Sequence, residues 1–318
     1  MSDLGHVLVL SGGLSYEREV SLRSGRRVSE VLRAAGVPVE IRDTDASLVP
    51  TVLADPPDAA FVTLHGGSGE DGAIRSVLEL LSVPYVGAGP DACRVAYDKP
   101  TAKAVVRSVG LRTPESVTLP KETFHDLGAS KVLSRIVERL GLPLFVKPSQ
   151  GGSALGASVV RTAEELPSAM VGCFAYGDTA LIEQFVEGVE VAVSVLDLGE
   201  GPMALPPVEI VPDGGVYDYA ARYTAGHTEF FAPARLSPEV AAACAEMAVT
   251  AHTALGLRDI SRTDLIVDPS GLPHFLEVNV APGMTETSLL PMAVEAAGDD
   301  LGTVCRVLLE QAAARGTA

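Results

Sequence analysis

The chain has 318 residues, 47% of them hydrophobic and 20% charged, and its 24 Lys and Arg against 41 Asp and Glu give a formal net charge of −17. This length suffices for two or three domains with ordinary cores. The acidic balance argues against nucleic acid or an anionic membrane as the main partner, because there is no basic field to attract either one. The four scattered cysteines and the lack of an apolar run long enough to span a bilayer predict a reduced, cytoplasmic protein.

The N-terminal segment, residues 1–98, alternates predicted strands with predicted helices. A strand at residues 6–10 ends in Gly12-Gly13, and a helix is expected from about 16 to 35. This alternation predicts a parallel sheet whose functional loops follow its strands. The turn after the first strand lacks the G-x-G-x-x-G order of dinucleotide-binding proteins, so an oxidoreductase of that type is not favoured.

The next segment contains a glycine-rich loop between two predicted strands, at residues 151–156. Such a loop has few Cβ atoms and many free N–H groups, so it can close over phosphates. Lys147 before the loop and Lys99 on a preceding helix would supply positive charge. An ordinary surface loop would look similar, so the interpretation depends on these two lysines.

A long aromatic-rich connection at residues 212–232 has no clear periodicity. Irregular segments of this length inside compact domains are usually lids or disordered. The tyrosines and phenylalanines in this one favour a lid.

Near the C-terminus, residues 268–271 (Asp-Pro-Ser-Gly) form a turn signal between two predicted strands, which indicates an antiparallel hairpin. Symmetric pairing about this turn places Asp264 roughly opposite Glu277, and Arg262 and Asn279 fall on the same faces as these acids. Two facing carboxylates repel each other unless a hard cation lies between them. The Asp, Glu and Asn oxygens suit Mg²⁺, with a solvated polar strand as the alternative.

Taken in order, these motifs resemble those of ATP-grasp ligases, and the whole chain resembles the D-alanine–D-alanine ligases. Supporting stretches lie at residues 15–25, 64–72, 217–219 and 282–288. The resemblance implies an α/β ATP-grasp fold with three domains: an N-terminal parallel α/β substrate domain at 1–98, a central α+β domain with the glycine-rich loop at 99–182, and a C-terminal α+β domain with the lid and the magnesium site at 183–318.

The resemblance also implies how ATP and metal are held. Residues implied to hold the phosphates are Lys99, Lys147, Gly151, Gly152, Ser153 and Arg222. Those implied for the nucleoside are Glu183, Phe185 and Val186 at adenine and Glu190 at ribose. Those implied to bind two Mg²⁺ ions, which Mn²⁺ can replace, are Asp264, Glu277 and Asn279.

The remaining implied residues act on the amino acids. ATP turns the first carboxylate into an acyl phosphate, which the amine of the second amino acid attacks. Glu17 would hold the first ammonium, positioned by Ser153 and Tyr223, with His65 in the same pocket. The Arg262 guanidinium and the Gly283 N–H are implied to donate to the tetrahedral oxyanion. Ser288 is implied to contact the carboxylate of the second amino acid.

Three functional hypotheses follow. The leading one is a ligase joining two D-alanines for peptidoglycan precursors, acting on small molecules as a homodimer, as the family implies. The second is a D-alanine–D-X ligase for D-serine or a natural-product amino acid, motivated by Tyr16 and Arg222, which depart from the family pattern together with Ala154 and Ala220. The third is a nucleotide-binding regulatory module that has lost catalysis; the intact set at Arg262, Asp264, Glu277 and Asn279 speaks against it.

Overall fold

The computed structural model describes residues 4–214, 217 and 226–316. Its N-terminal sheet is parallel with strand order β2-β1-β3-β4, as the alternation of strands and helices predicted. Its elements are β1 (Val7–Ser11), α1 (Arg18–Ala34), β2 (Val39–Asp43), α2 (Leu48–Ala54), β3 (Ala59–Val62), a short 3₁₀ helix (Gly67–Gly69), α3 (Ala73–Leu80) and β4 (Tyr85–Val86). Every residue of β1 and β3 is buried, as expected for strands covered on both faces.

Two helices lead to a second, antiparallel sheet with strand order β5-β8-β6-β7. The elements of this part are α4 (Pro90–Tyr97), α5 (Lys99–Ser108), β5 (Ser116–Pro120), α6 (Lys121–Leu127), α7 (Ala129–Leu140), β6 (Leu144–Pro148), β7 (Ser158–Val160), α8 (Leu166–Phe174) and β8 (Thr179–Gln184). Asp98 caps α5 because its side chain accepts a hydrogen bond from the Thr101 N–H at 3.0 Å. Because β8 runs on to Gln184, it crosses position 182, where the central domain was expected to end.

The third sheet has the order β12-β11-β9-β13-β14, with β10 paired to β9. Its elements are β9 (Val189–Asp197), β10 (Pro202–Ala204), β11 (Val208–Pro212), β12 (Thr228–Phe231), α9 (Pro238–Ala254), β13 (Ile260–Val267), β14 (Pro273–Asn279), α10 (Leu289–Ala296) and α11 (Leu301–Arg315). Helices α1 and α11 pack against each other, and buried side chains of the first and third sheets share one hydrophobic core.

In the hairpin of β13 and β14, Asp264 pairs with Glu277, close to the predicted arrangement, and the register shifts between Asp264 and Leu265. Asp268 stabilises the connecting turn by accepting hydrogen bonds from the N–H groups of Ser270 (2.9 Å) and Leu272 (3.0 Å). The two acids proposed to bind metal are therefore cross-strand neighbours.

The four cysteines are buried and free: Cys93, Cys173, Cys244 and Cys305. Burial raises the pKa of each thiol, to about 11 for Cys244 and to about 12 for Cys173 and Cys305. In the described ranges, no helix is long and apolar enough to cross a membrane.

Candidate active site

A cavity of about 510 Å³ lies between the second and third sheets. The glycine-rich loop after β6 forms one side, and β9, β11, β13 and β14 form the other. Charged residues lining it include Lys99, Lys147, Glu183, Glu190, Asp264 and Glu277. This volume suits a small organic ligand, and the lysines can pair with negatively charged groups of that ligand.

The glycine-rich loop is tied to the start of α5. The Lys99 N–H donates to the Ser149 carbonyl at 2.9 Å, and its ammonium donates to the Gly151 carbonyl at 2.7 Å. Ser153 and Ala154 both have φ of 54°, a left-handed conformation that costs energy for a residue with a Cβ. The loop is thus held in a set conformation beside the cavity, with Lys99 buried against it.

Lys147, on β6, reaches the cavity between two acids. Its Nζ lies 2.8 Å from Glu183 Oε1 and 4.0 Å from Glu277 Oε2. Burial opposes its charge, but Glu183 and Glu277 raise the pKa of Lys147 above its usual value. The side chain therefore stays an ammonium, as a phosphate ligand must.

The four residues implied to hold the nucleoside, Glu183, Phe185, Val186 and Glu190, all line the cavity. The Phe185 N–H already donates to the Pro143 carbonyl at 3.1 Å. A contact of adenine with the backbone of Phe185 would therefore use its carbonyl group.

The proposed metal ligands come from the neighbouring strands β13 and β14, and two of them, Asp264 and Glu277, line the cavity. Both oxygens of Asp264 accept from Arg262, with Nε–Oδ1 of 2.7 Å and Nη2–Oδ2 of 2.8 Å. The Asn279 Oδ1 accepts from the Ala281 N–H at 2.8 Å, and Glu277 lies 3.6 Å from the Lys99 ammonium. Each of these oxygens has a second lone pair, so two carboxylates and an amide oxygen remain a donor set suited to a hard cation.

A second group of polar residues lies where the first sheet meets the glycine-rich loop. Ser153 donates a hydrogen bond to Oε1 of Glu17, the residue that precedes α1. Gly152 provides the necessary space, since a Cβ there would lie 2.8 Å from Glu17 Oε2. Glu17 and Ser153, implied partners at the first ammonium, are thus in contact.

His65 is buried and joins the loop after β3 to the loop after β14. Its Nδ1 lies 2.9 Å from the Ala281 carbonyl, and its Nε2 lies 2.9 Å from Ser24 Oγ, which accepts from the Met284 N–H at 3.1 Å. Burial lowers the pKa of His65 to about 4, so the ring is neutral at pH 7. Because a carbonyl only accepts, Nδ1 carries the proton and Nε2 accepts from the Ser24 hydroxyl.

Gly283 and Ser288 lie in the loop that leads to α10. The Ser288 hydroxyl accepts from the Thr285 N–H at 3.0 Å and lies 2.8 Å from the Thr285 hydroxyl. A Cβ at position 283 would lie 2.7 Å from Ser288 Oγ, so glycine permits this close approach. The implied oxyanion donor and the implied carboxylate contact are thus neighbours.

Three predicted features of the lid, Ala220, Arg222 and Tyr223, lie outside the described residues. Tyr16 is described, and its ring is 82% exposed. It packs edge-on against Tyr176, with 6.1 Å between ring centroids and 71° between planes. Its ring therefore contacts the loop before β8.

Three polar residues at the site were not singled out from the sequence. They are Ser24, which holds His65 and Met284; Glu70, a buried acid that accepts from the Gly66 N–H at 3.0 Å; and Lys103, which pairs with Glu183. Burial and the nearby charge of Glu17 raise the pKa of Glu70 to about 7. A signal existed for Lys103, which follows Lys99 by four residues and so shares its helix face.

The chain is similar to known proteins over nearly its full length. Residues 105–310 match the family model described as "D-ala D-ala ligase C-terminus". A D-alanine–D-alanine ligase from Bordetella petrii is 40% identical over 312 residues, covering 98% of this chain and 93% of the relative.

Two solved structures are also similar. The VanG D-Ala:D-Ser ligase from Enterococcus faecalis superposes with a TM-score of 0.83 at 28% identity, over 97% of this chain and 99% of that one. The D-alanine–D-alanine ligase from Bacillus anthracis complexed with ATP gives a TM-score of 0.81 at 27% identity, over 98% of both chains. These are relatives with the same fold across nearly the full length.

Proposed function

The chain belongs to the D-alanine–D-alanine ligase family, and from this premise we propose that it joins two D-alanines at the expense of ATP to supply peptidoglycan precursors. The observation that carries the proposal is the position of Ser153. Its loop borders the lysine-lined cavity, and its hydroxyl bonds to Glu17 beside it. A nucleotide in the cavity and an amino acid at Glu17 would therefore meet at one loop.

In the proposed reaction, the carboxylate of the first D-alanine attacks the γ-phosphorus of ATP and gives an acyl phosphate and ADP. Lys99 and Lys147 balance charge on the transferred group, and Glu17 holds the ammonium of the same amino acid. The amine of the second D-alanine, positioned through its carboxylate at Ser288, then attacks the acyl carbon. Arg262 and the Gly283 N–H would donate to the resulting oxyanion before phosphate leaves.

For Asp264, Glu277 and Asn279 we propose two Mg²⁺ ions, with Mn²⁺ able to replace them. Bound there, the ions would neutralise phosphate charge during transfer. Three features favour a hard cation: the acids face each other across the hairpin, their ligand atoms are all oxygens, and they border the lysines that would meet phosphate.

The test is ADP release measured with purified protein, ATP and a panel of amino acids. We expect release to depend on D-alanine, and to collapse in Glu277→Gln, whose amide removes one anionic ligand. Unchanged turnover in Glu277→Gln would refute the metal assignment. Tight ATP binding without any amino-acid-stimulated hydrolysis would instead favour a regulatory module.

The same panel separates the second candidate, a ligase for D-alanine and a different second amino acid such as D-serine. Similarity to the VanG D-Ala:D-Ser ligase favours including it. The 40% identity to a D-alanine–D-alanine ligase, against 28% to VanG, favours D-alanine in both positions. Preference for D-serine or another amino acid in the second position would overturn the leading proposal.

We further propose that the protein acts in the cytoplasm as a homodimer, and that each of its three sheets belongs to one of the three expected domains. The three separate strand orders support this division. Sedimentation analysis tests the dimer, and limited proteolysis near position 98 and at the exposed residues Glu187 and Gly188, which follow β8, tests the domain boundaries.

A further inference from the structure

Five charged side chains at and next to the cavity form a continuous series of alternating sign. In order they are Lys103, Glu183, Lys147, Glu277 and Lys99, and we call them the ion chain. Lys103 forms a hydrogen bond with Glu183 Oε2, and Lys147 lies 2.8 Å from Glu183 Oε1. Glu277 follows at 4.0 Å from Lys147 and 3.6 Å from Lys99.

The backbone explains why these side chains meet. Lys99 and Lys103 lie four residues apart on α5, so both point from the same helix face. In the pairing of β6 with β8, Phe145 lies opposite Glu183, which makes Lys147 a diagonal neighbour of Glu183 on the same sheet face. Glu277 comes from β14 across the cavity.

The inner end of the ion chain is almost free of solvent. The side chains of Lys103 and Glu183 are 1% and 2% exposed, and that of Lys147 is 8% exposed. Burial lowers the pKa of Lys103 to about 8, although Glu183 opposes this effect. Burial would also raise the pKa of Glu183, but Lys147 and Lys103 together hold it below its ordinary value.

The pairing of charges around Glu183 depends on Lys103. Without it, Glu183 would be a buried carboxylate with Lys147 as the remaining lysine in hydrogen-bonding contact. The attraction between that pair would strengthen, because an unscreened buried charge interacts strongly with its nearest partner. Lys147 would then be drawn toward Glu183 and away from the cavity.

We infer that Lys103 is a positioning residue for the nucleotide. Because Lys103 pairs with one carboxylate oxygen of Glu183, Lys147 stays directed toward the site of the phosphates. This inference rests on the proposed function, in which Lys147 holds phosphate. Lys103 itself does not line the cavity. Its effect on ATP passes through Glu183 and Lys147.

A purely structural role for Lys103 makes a different prediction. A buried ion pair that loses one partner destabilises the fold wherever it occurs. In that case Lys103→Met would lower the melting temperature, while the folded fraction would bind ATP with unchanged affinity. The two roles are therefore separated by the affinity of the folded protein for ATP.

The experiment measures the Kd for ATP by isothermal titration calorimetry in the absence of amino acids, together with the steady-state KM values. The variants are Lys103→Met, Glu183→Gln and the double variant. The matched control is Lys121→Met, which removes a lysine from an exposed ion pair with Asp178 in the same sheet region (2.5 Å). Circular dichroism reports the folded fraction of each variant.

For Lys103→Met we expect the Kd and the KM for ATP to rise by roughly tenfold or more, with a much smaller change in the KM for D-alanine. In the Glu183→Gln background, where no carboxylate competes for Lys147, the same substitution should change the Kd for ATP by less than about threefold. The Lys121→Met control should bind ATP as the wild type does.

Unchanged ATP affinity in folded Lys103→Met overturns the inference. The inference is also overturned if Lys103→Met weakens ATP binding in the Glu183→Gln background as much as it does in the wild type. If Lys103→Met fails to fold, the Kd for ATP of the double variant is compared with that of Glu183→Gln. The inference requires these two variants to bind ATP alike, so a large difference between them overturns it. Failure of the proposed ligase function would be recognised separately, as wild-type protein that binds ATP but shows no D-alanine-dependent ADP release.

Discussion

The hydroxyl of Ser153 donates a hydrogen bond to the carboxylate of Glu17, although the two residues are 136 positions apart in the chain. One lies in the glycine-rich loop after β6, and the other precedes α1. Because the donor is neutral and the acceptor is ionised, the bond is of the stronger, charge-assisted type. The loop beside the cavity and the proposed ammonium site are therefore coupled directly.

Replacing Ser153 by alanine removes this bond and leaves Glu17 less well oriented toward an ammonium. We expect kcat/KM for D-alanine at the first site to fall by roughly ten- to a hundredfold, the usual effect of a lost hydrogen bond to a charged group. Initial rates of ADP release over a range of D-alanine concentrations measure this. Ser158→Ala, in the strand after the same loop, is the control and should stay within about twofold of wild type. An intact kcat/KM in Ser153→Ala would show that the bond does not position Glu17.

The neutral His65 predicts a loss of stability in mild acid. Its pKa is about 4 in the folded protein against 6.5 for an unperturbed histidine, so between these values the unfolded chain binds a proton that the folded one does not. Stability should therefore rise with pH across this window, and the contribution of His65 between pH 4.5 and 7 is about 2–3 kcal/mol. Urea denaturation at both pH values measures it.

The control for this prediction is His65→Asn, which keeps an N–H donor for the Ala281 carbonyl but does not titrate. Glu70 acts in the opposite sense, because its raised pKa stabilises the fold at low pH and this contribution is lost as the pH rises from its ordinary value of 4.5 toward 7. Since Glu70 is present in both proteins, the difference between them isolates His65. Equal pH dependence in wild type and variant would contradict the assignment of a neutral, buried ring.

Tyr16 and Tyr176 should contribute to stability as a pair. Their edge-on contact connects the loop after β1 to the loop before β8. A double-mutant cycle with Tyr16→Ala and Tyr176→Ala should give a coupling of about 0.5–1 kcal/mol in urea denaturation, at the lower end for aromatic pairs because Tyr16 is exposed. Tyr16→Ala alone should leave the KM for D-alanine within about twofold. A larger change would mean that the ring does shape the first-substrate pocket.

Phe275, on β14, is fully buried and stabilises the hairpin that carries Asp264 and Glu277. Phe275→Ala should cost about 3–5 kcal/mol, because it leaves a cavity in a packed core. Equilibrium denaturation in urea checks this value. Leu272→Ala, at the exposed turn of the same hairpin, should cost less than about 1 kcal/mol. A cost for Phe275→Ala as small as that of Leu272→Ala would show that the core re-forms around the smaller side chain.

Where local chemistry decides the structure, the sequence was sufficient. The turn at Asp268 predicted a hairpin with Asp264 roughly opposite Glu277, and the structure pairs these two residues. Their exact pairing depends on a register irregularity between Asp264 and Leu265, which no feature of the sequence indicated. The first helix was expected from about 16 to 35 and runs from Arg18 to Ala34.

The contacts that the sequence did not predict join residues that are distant along the chain. Lys103 and Glu183 lie 80 positions apart, and Ser24 and Met284 lie 260 apart. Periodicity and turn signals are local and do not predict such contacts, because the contacts depend on how sheets and helices pack in space. The roles of Arg222 and Tyr223 stay predictions, because these residues fall outside the described part of the chain.

The burial of all four thiols has a practical consequence. At neutral pH a maleimide dye should leave the folded protein unlabelled, because the reagent needs an accessible thiolate and these groups are enclosed and protonated. A cysteine introduced at Leu14, whose side chain is fully exposed two residues before Tyr16, would then be the single reactive position. Fluorescence from that position would follow the approach of an amino acid to Glu17 without any deletion of native cysteines.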